Sequence, residues 1–148
     1  MKTLFSIIIL LFSNLYLFGQ IELVAHIVDE NNSKLKDIQV NIYDGNQLIL
    51  SEKASKKFDF DLLANKHYTL ELSKAGYYTK RIIVETQTGT LKPSEPFEFK
   101  IELIKNNPEI KENEFDFPVA VIKYKVKKGF YFISIKNYDE EKTLITQN

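Results

Sequence analysis

Residues 97–103 read FEFKIEL, with Phe97, Phe99, Ile101 and Leu103 at every second position and Glu98, Lys100 and Glu102 between them. Successive side chains of an extended chain point to opposite faces, so this pattern fits a strand with one covered face and one wet face. The same period governs residues 68–86, YTLELSKAGYYTKRIIVET, around which the other segments are organised. There Tyr68, Leu70 and Leu72 alternate with Thr69, Glu71 and Ser73. Gly76 supplies backbone freedom for a turn, and Ile82, Ile83 and Val84 resume a β-branched run over residues 81–85.

The remaining segments obey the same rule. Residues 21–29 (IELVAHIVD) place Leu23, Ala25 and Ile27 on one side. Val24 and Val28 make the other side apolar too, as suits a strand covered on both faces or one beside an edge partner. After the turn cluster at 30–33, residues 37–43 alternate Ile38, Val40 and Ile42 with Asp37, Gln39 and Asn41. Asp44-Gly45-Asn46 predicts a tight hairpin into a short strand at 47–51, and the lysine-rich stretch 52–57 reads as a connecting loop. Residues 57–62 (KFDFDL) turn Phe58, Phe60 and Leu62 inward and Asp59 and Asp61 outward. Seven short strands spaced by turn signals, without an amphipathic helix between them, predict an all-β, seven-stranded Greek-key sandwich over residues 20–105. Residues 106–118 (NNPEIKENEFDFP) read as a linker. Two further strand-like runs, 119–126 and 130–136, predict a C-terminal hairpin ahead of a polar tail, the whole extension covering 119–148.

Lys2, an apolar run over residues 4–18 and Gly19 before Gln20 have the layout of a secretory signal peptide spanning residues 1–19. The run is shorter than the roughly 20 residues that cross a bilayer; an uncleaved membrane anchor is the competing reading. The expected locale is therefore periplasmic, outer-membrane-associated or secreted, with membrane contact only through the leader during export. The chain has no cysteine, which removes disulfides, thiolate ligands, a lipoprotein anchor and a thiol nucleophile. Its 20 basic and 20 acidic residues balance; removing the leader takes away Lys2 and leaves 19 against 20, one unit negative. No basic field exists to hold nucleic acid.

Four segments together resemble the carboxypeptidase regulatory-like (transthyretin-like, prealbumin-like) domain of bacterial envelope proteins. They are Ile27-Val28-Asp29, Val40-Asn41-Ile42, Phe58-Asp59-Phe60-Asp61-Leu62 and the run from Tyr68 through Lys74-Ala75-Gly76-Tyr77. Ala25 stands where that family often has glycine, and no glycine precedes Phe58. The resemblance covers residues 21–103. It implies a transthyretin-like or immunoglobulin-like sandwich without chemistry of its own, serving as a spacer, docking module or folding aid. The same fold hosts a ureide hydrolase with a Tyr-Arg-Gly-Ser terminus; this chain ends LITQN and has the single arginine Arg81.

Candidate chemistry is sparse. His26 and His67 are the two histidines, and each lacks a second histidine nearby, against the three or four ligands that a metal site requires. Asp59 and Asp61 share a strand face at about 7 Å, within the range of an inverting glycosidase pair, but alternation with the phenylalanines accounts for both. No Gly-x-Ser-x-Gly elbow or glycine-rich phosphate loop occurs. The expectation is a protein that is not an enzyme and carries no cofactor and no metal. Tyr77, Tyr78, Tyr124, Tyr131 and Tyr138 could form a glycan- or peptide-binding surface, although carbohydrate platforms favour tryptophan and the chain has none. Lys123, Lys125, Lys127 and Lys128 run along the last hairpin. They either guard an edge strand against unwanted pairing or attract an acidic partner or anionic head groups. The candidate binding surface is thus Tyr77, Tyr78, Lys123, Lys125, Lys127 and Tyr131. Its expected partner is an envelope protein reached through a sheet edge or the C-terminal hairpin.

Overall fold

A computed structural model describes residues 20–88, 95–107, 119–125 and 128–134. The expected leader at 1–19, most of the expected linker, Lys127, and the tail from 135 onward with Tyr138 lie outside these residues. Among the described residues there are nine strands: β1 (Gln20–Asp29), β2 (Ile38–Asp44), β3 (Gln47–Ala54), β4 (Lys57–Leu63), β5 (His67–Ser73), β6 (Lys80–Glu85), β7 (Phe97–Leu103), β8 (Ala120–Lys125) and β9 (Gly129–Ser134). The described residues contain no helix.

The strands form two sheets, a three-stranded one ordered β4-β1-β7 and a six-stranded one ordered β3-β2-β5-β6-β8-β9. The chain passes between sheets after β1, β3, β4, β6 and β7, which is the Greek-key character of the sandwich. Every second residue of β1, β2, β4, β5, β6 and β7 enters one shared core, whereas β3 buries only Ala54. Leu23, Ala25 and Ile27 of β1, Phe58, Phe60 and Leu62 of β4, and Phe99, Ile101 and Leu103 of β7 face Ile38, Val40 and Ile42 of β2, Leu70 and Leu72 of β5, and Ile82 and Val84 of β6. Each such side chain contributes roughly 1.5–3 kcal/mol on leaving water, which lets a chain without disulfides hold two sheets together. β1 lies between β4 and β7, with Val24 directly opposite both Asp59 and Glu98, so its second apolar face is flanked by neighbouring strands.

The corners carry the special backbone. Gly45, at φ +59°, takes the first central position of the two-residue β2–β3 turn, where a positive angle is required. Gly76 has φ +82° and sits third in the turn closed by the Tyr77 N–H on the Lys74 carbonyl (3.0 Å), the place where a type II turn demands positive φ. An added Cβ at Gly76 would meet nothing within 4 Å, so only the backbone angle resists a side chain there. Gly76→Ala is expected to cost about 1 kcal/mol in urea unfolding, with the slope unchanged.

One expectation about this part of the chain needs correction. The stretch 52–57 is not all loop: β3 continues to Ala54, because β2 offers it a ladder in which Gln39 faces Lys53 and Ile38 faces Ala54. Pairing outweighs the low strand preference of those charged residues. The loop shrinks to Ser55 and Lys56, and Lys56, at φ +65°, makes the step between sheets. Its N–H donates to the Leu35 carbonyl and its carbonyl accepts from the Ile27 N–H, both at 2.8 Å.

The C-terminal hairpin is part of the sandwich. β8 runs parallel to β6, pairing Ala120, Val121 and Ile122 with Ile82, Ile83 and Val84. β9 returns antiparallel as the outermost strand, after a turn in which the Lys128 N–H donates to the Lys125 carbonyl. Phe130 and Phe132 of β9 reach across to Phe97 and Phe99 of β7, with ring centroids 5.8 and 6.3 Å apart. These four rings close one open side of the sandwich.

Candidate interaction surface

Alternation decides which side chains are available to a partner. On β8, Ala120, Ile122 and Tyr124 point toward the core, so Val121, Lys123 and Lys125 stand on the opposite face. Register then builds rows across that outer face. His67 lies opposite Glu85, Lys123 lies one residue past the last β6–β8 pair, and Lys123 lies opposite Tyr131. The Lys123 Nζ approaches the Glu85 carboxylate at 3.3 Å, with both side chains about three-quarters covered. Lys125 is exposed at the turn end of β8, and Tyr131 is half-buried beside it. Structure and register therefore bring Lys123, Lys125 and Tyr131 together; Lys127 lies outside the described residues.

Tyr77 and Tyr78 belong to a different place. They follow the Gly76 turn, before β6 begins, while Lys123 lies near its end. Six residues of strand, about 20 Å of rise, separate them. Their own surroundings are structural. Tyr77 pairs with Lys105, and the Tyr78 N–H donates to the Ile104 carbonyl. The Tyr78 ring is 8% exposed; its hydroxyl donates to the Asn107 carbonyl (2.6 Å) and accepts from the Asn107 N–H (3.0 Å). Tyr78 plugs the end of the sandwich and stitches the β5–β6 corner to the chain leaving β7.

Across β3, β2, β5 and β6 the outer face of the larger sheet carries a polar ladder, whereas Ile83, Val121 and Ile133 form an apolar row across β6, β8 and β9 in which Val121 is 1% and Ile133 9% exposed. Gln39 Nε2 donates to Ser51 Oγ (2.9 Å) and Asn41 Oδ1 (3.2 Å), Asn41 Nδ2 donates to Glu71 Oε1 (3.2 Å), and Arg81 Nε donates to Glu71 Oε2 (2.8 Å). Such a network fixes the strands and holds the arginine on a carboxylate. Lys80 crosses the other way, donating from Nζ to the Glu102 carbonyl of β7. Burial pushes the Lys80 ammonium below its ordinary value, with partial recovery from the Glu102 charge.

The histidines lie on different sheets. His26 Nε2 is 3.1 Å from the Glu98 carboxylate, and His67 Nε2 is 2.6 Å from the Gln87 amide nitrogen. No group of three or more potential metal ligands occurs among the described residues. Asp59 and Asp61 are exposed on β4, and Lys57 holds Asp59 at 3.2 Å.

The apolar residues of the hairpin, Ala120, Ile122, Val126, Phe130 and Phe132, are expected from the sequence to dock on the sandwich or to accept a partner strand. Among the described ones, Phe132 is left largely exposed. Phe132 belongs to the inward-facing set of β9, yet it is 42% exposed, because its strand is the last of its sheet and β7 is the last of the other. Its strand reads GFYFIS, six residues without a charge.

No family model and no curated protein matches this chain. Among solved structures, it is similar to 3-chlorocatechol 1,2-dioxygenase from Rhodococcus opacus 1CP, with a TM-score of 0.42 and 8% identity, over 60% of this chain and 61% of that one.

Proposed function

We propose that this protein is an exported, non-catalytic β-sandwich module of the carboxypeptidase regulatory-like kind, binding or bracing a protein assembly of the cell envelope. The observation that carries this reading is the placement of the hairpin. Its inward residues Ala120, Ile122 and Phe130 are spent on the core, while Lys123, Lys125 and Tyr131 stand on the face turned away from it. The inner faces of both sheets are filled with aliphatic and aromatic side chains, so polar groups are displayed outside, where a macromolecular partner meets them. A lysine-bearing β pair at the end of a sheet suits a protein partner with acidic side chains.

The test is site-specific photocross-linking in cells that export the full chain. A cross-linker at Lys125 is expected to give one discrete adduct with an envelope protein, and the same group at Lys53 on β3 to give none. Equal labelling from both positions, or none from Lys125, overturns the reading. The released protein is expected to begin at Gln20 on N-terminal sequencing.

A further inference from the structure

Among the described residues the two sheets have four edge strands, β3, β4, β7 and β9. An edge strand offers unpaired backbone donors and acceptors, and proteins commonly guard it with charge or a bulge. Three of the four are guarded. β3 carries Glu52 and Lys53 and shifts register between Ile42 and Tyr43 of its partner; β4 carries Lys57, Asp59 and Asp61; β7 carries Glu98, Lys100 and Glu102. β9 has no charge, no proline and no register shift, and no strand pairs with its outer side among the described residues.

We infer that β9 pairs with β9 of a second copy of this chain, antiparallel about a two-fold axis at Tyr131, joining two six-stranded sheets into one of twelve. This does not rest on the envelope-partner reading. Charge selects this occupant. When a strand pairs with itself about a two-fold axis, residues beside the axis meet their own kind, and like charges directly opposite are destabilising. Within the uncharged run of β9 that penalty vanishes. The register follows from residue types and faces. Opposed residues in an antiparallel pair share a face, so Tyr131 meets Tyr131 of the second copy on the outer face. Phe132 meets Phe130 of the second copy on the inner face, covering the exposed ring. Lys128 falls opposite Ser134, so no like charges meet along the described strand. Six residues per strand make a small interface, so the association is weak and concentration-dependent.

Sedimentation velocity on the full chain, expressed with residues 1–19 in place, tests this from about 1 to 500 µM. The expected result is a rise from one to two chain masses and no further. Tyr131→Lys and Tyr131→Glu are each expected to weaken association at least about ten-fold, and mixing them in equal amounts to restore the dimer. The mixture separates a lost interface from a damaged fold. Wild type that stays monomeric across the range, charged variants that associate as wild type does, or a mixture that fails to recover overturns the inference. The cross-linking test remains distinct, because a self-adduct has twice the chain mass and an envelope adduct does not.

Discussion

Leu70→Ala is expected to lower the unfolding free energy by about 2–5 kcal/mol, the range for deleting a buried leucine side chain, and to leave the urea slope unchanged. Leu70 is 0% exposed in β5, with Ile42 and Ile82 directly opposite it on either side. The cost exceeds simple transfer to water because the site cannot collapse. Both neighbouring strands are held by their own ladders, and the facing sheet fills the other side of the core. A loss of this size is a large fraction of the 5–15 kcal/mol typical of a domain. Equilibrium urea unfolding followed by circular dichroism measures it directly. A loss below about 1 kcal/mol would mean that the two sheets are not packed as described.

Thr86→Val keeps the shape of its side chain and is expected to cost about 2–3 kcal/mol. Thr86 is fully buried just beyond β6. Its hydroxyl accepts from the Lys66 N–H (2.9 Å) and donates to the Leu63 carbonyl (2.8 Å), with the Lys66 carbonyl at 3.1 Å. Its backbone joins the same corner, donating to the Lys66 carbonyl and accepting from the Asn65 N–H. One residue therefore pins the three-residue arch that carries the chain from β4 in one sheet to β5 in the other. Valine leaves the part-buried Lys66 N–H and Leu63 carbonyl without the hydroxyl, whereas Thr86→Ser retains it and is expected to cost less than half as much. Equal losses from serine and valine in urea unfolding would remove the hydrogen bonds as the cause.

These two sites differ in how far the sequence announces them. Leu70 is plain in it: Tyr68, Leu70 and Leu72 alternate with polar residues, and period two leaves one assignment of faces. The same logic places Phe58, Phe60, Phe99 and Ile101 inside and Asp59, Asp61 and Lys100 outside, as found. Thr86 is silent in the sequence, because its role depends on a corner twenty residues earlier in the chain. Strand partners are equally hidden. That β8 lies parallel to β6 follows from nothing local, although the consecutive apolar residues Val119 to Ile122 suit a strand with neighbours on both sides. The candidate surface divided for the same reason. Tyr77 and Tyr78 are close to the core motif in sequence but are spent at its end, whereas Lys123, Lys125 and Tyr131 meet through hairpin register. The exposure of Phe132 arises only because both sheets stop there.

The place of β1 has a consequence for how the molecule comes into being. Its Leu23 stands opposite Phe60 on one side and Phe97 on the other, and the second neighbour lies 74 positions further along the chain. A polypeptide emerging N-terminus first, from a ribosome or through a pore, thus presents its opening strand long before that strand can be flanked on both sides. The short ladders between β2, β3, β5 and β6 can close in the meantime. Such long-range closure is slow, and it leaves the smaller sheet open until about two-thirds of the chain has emerged.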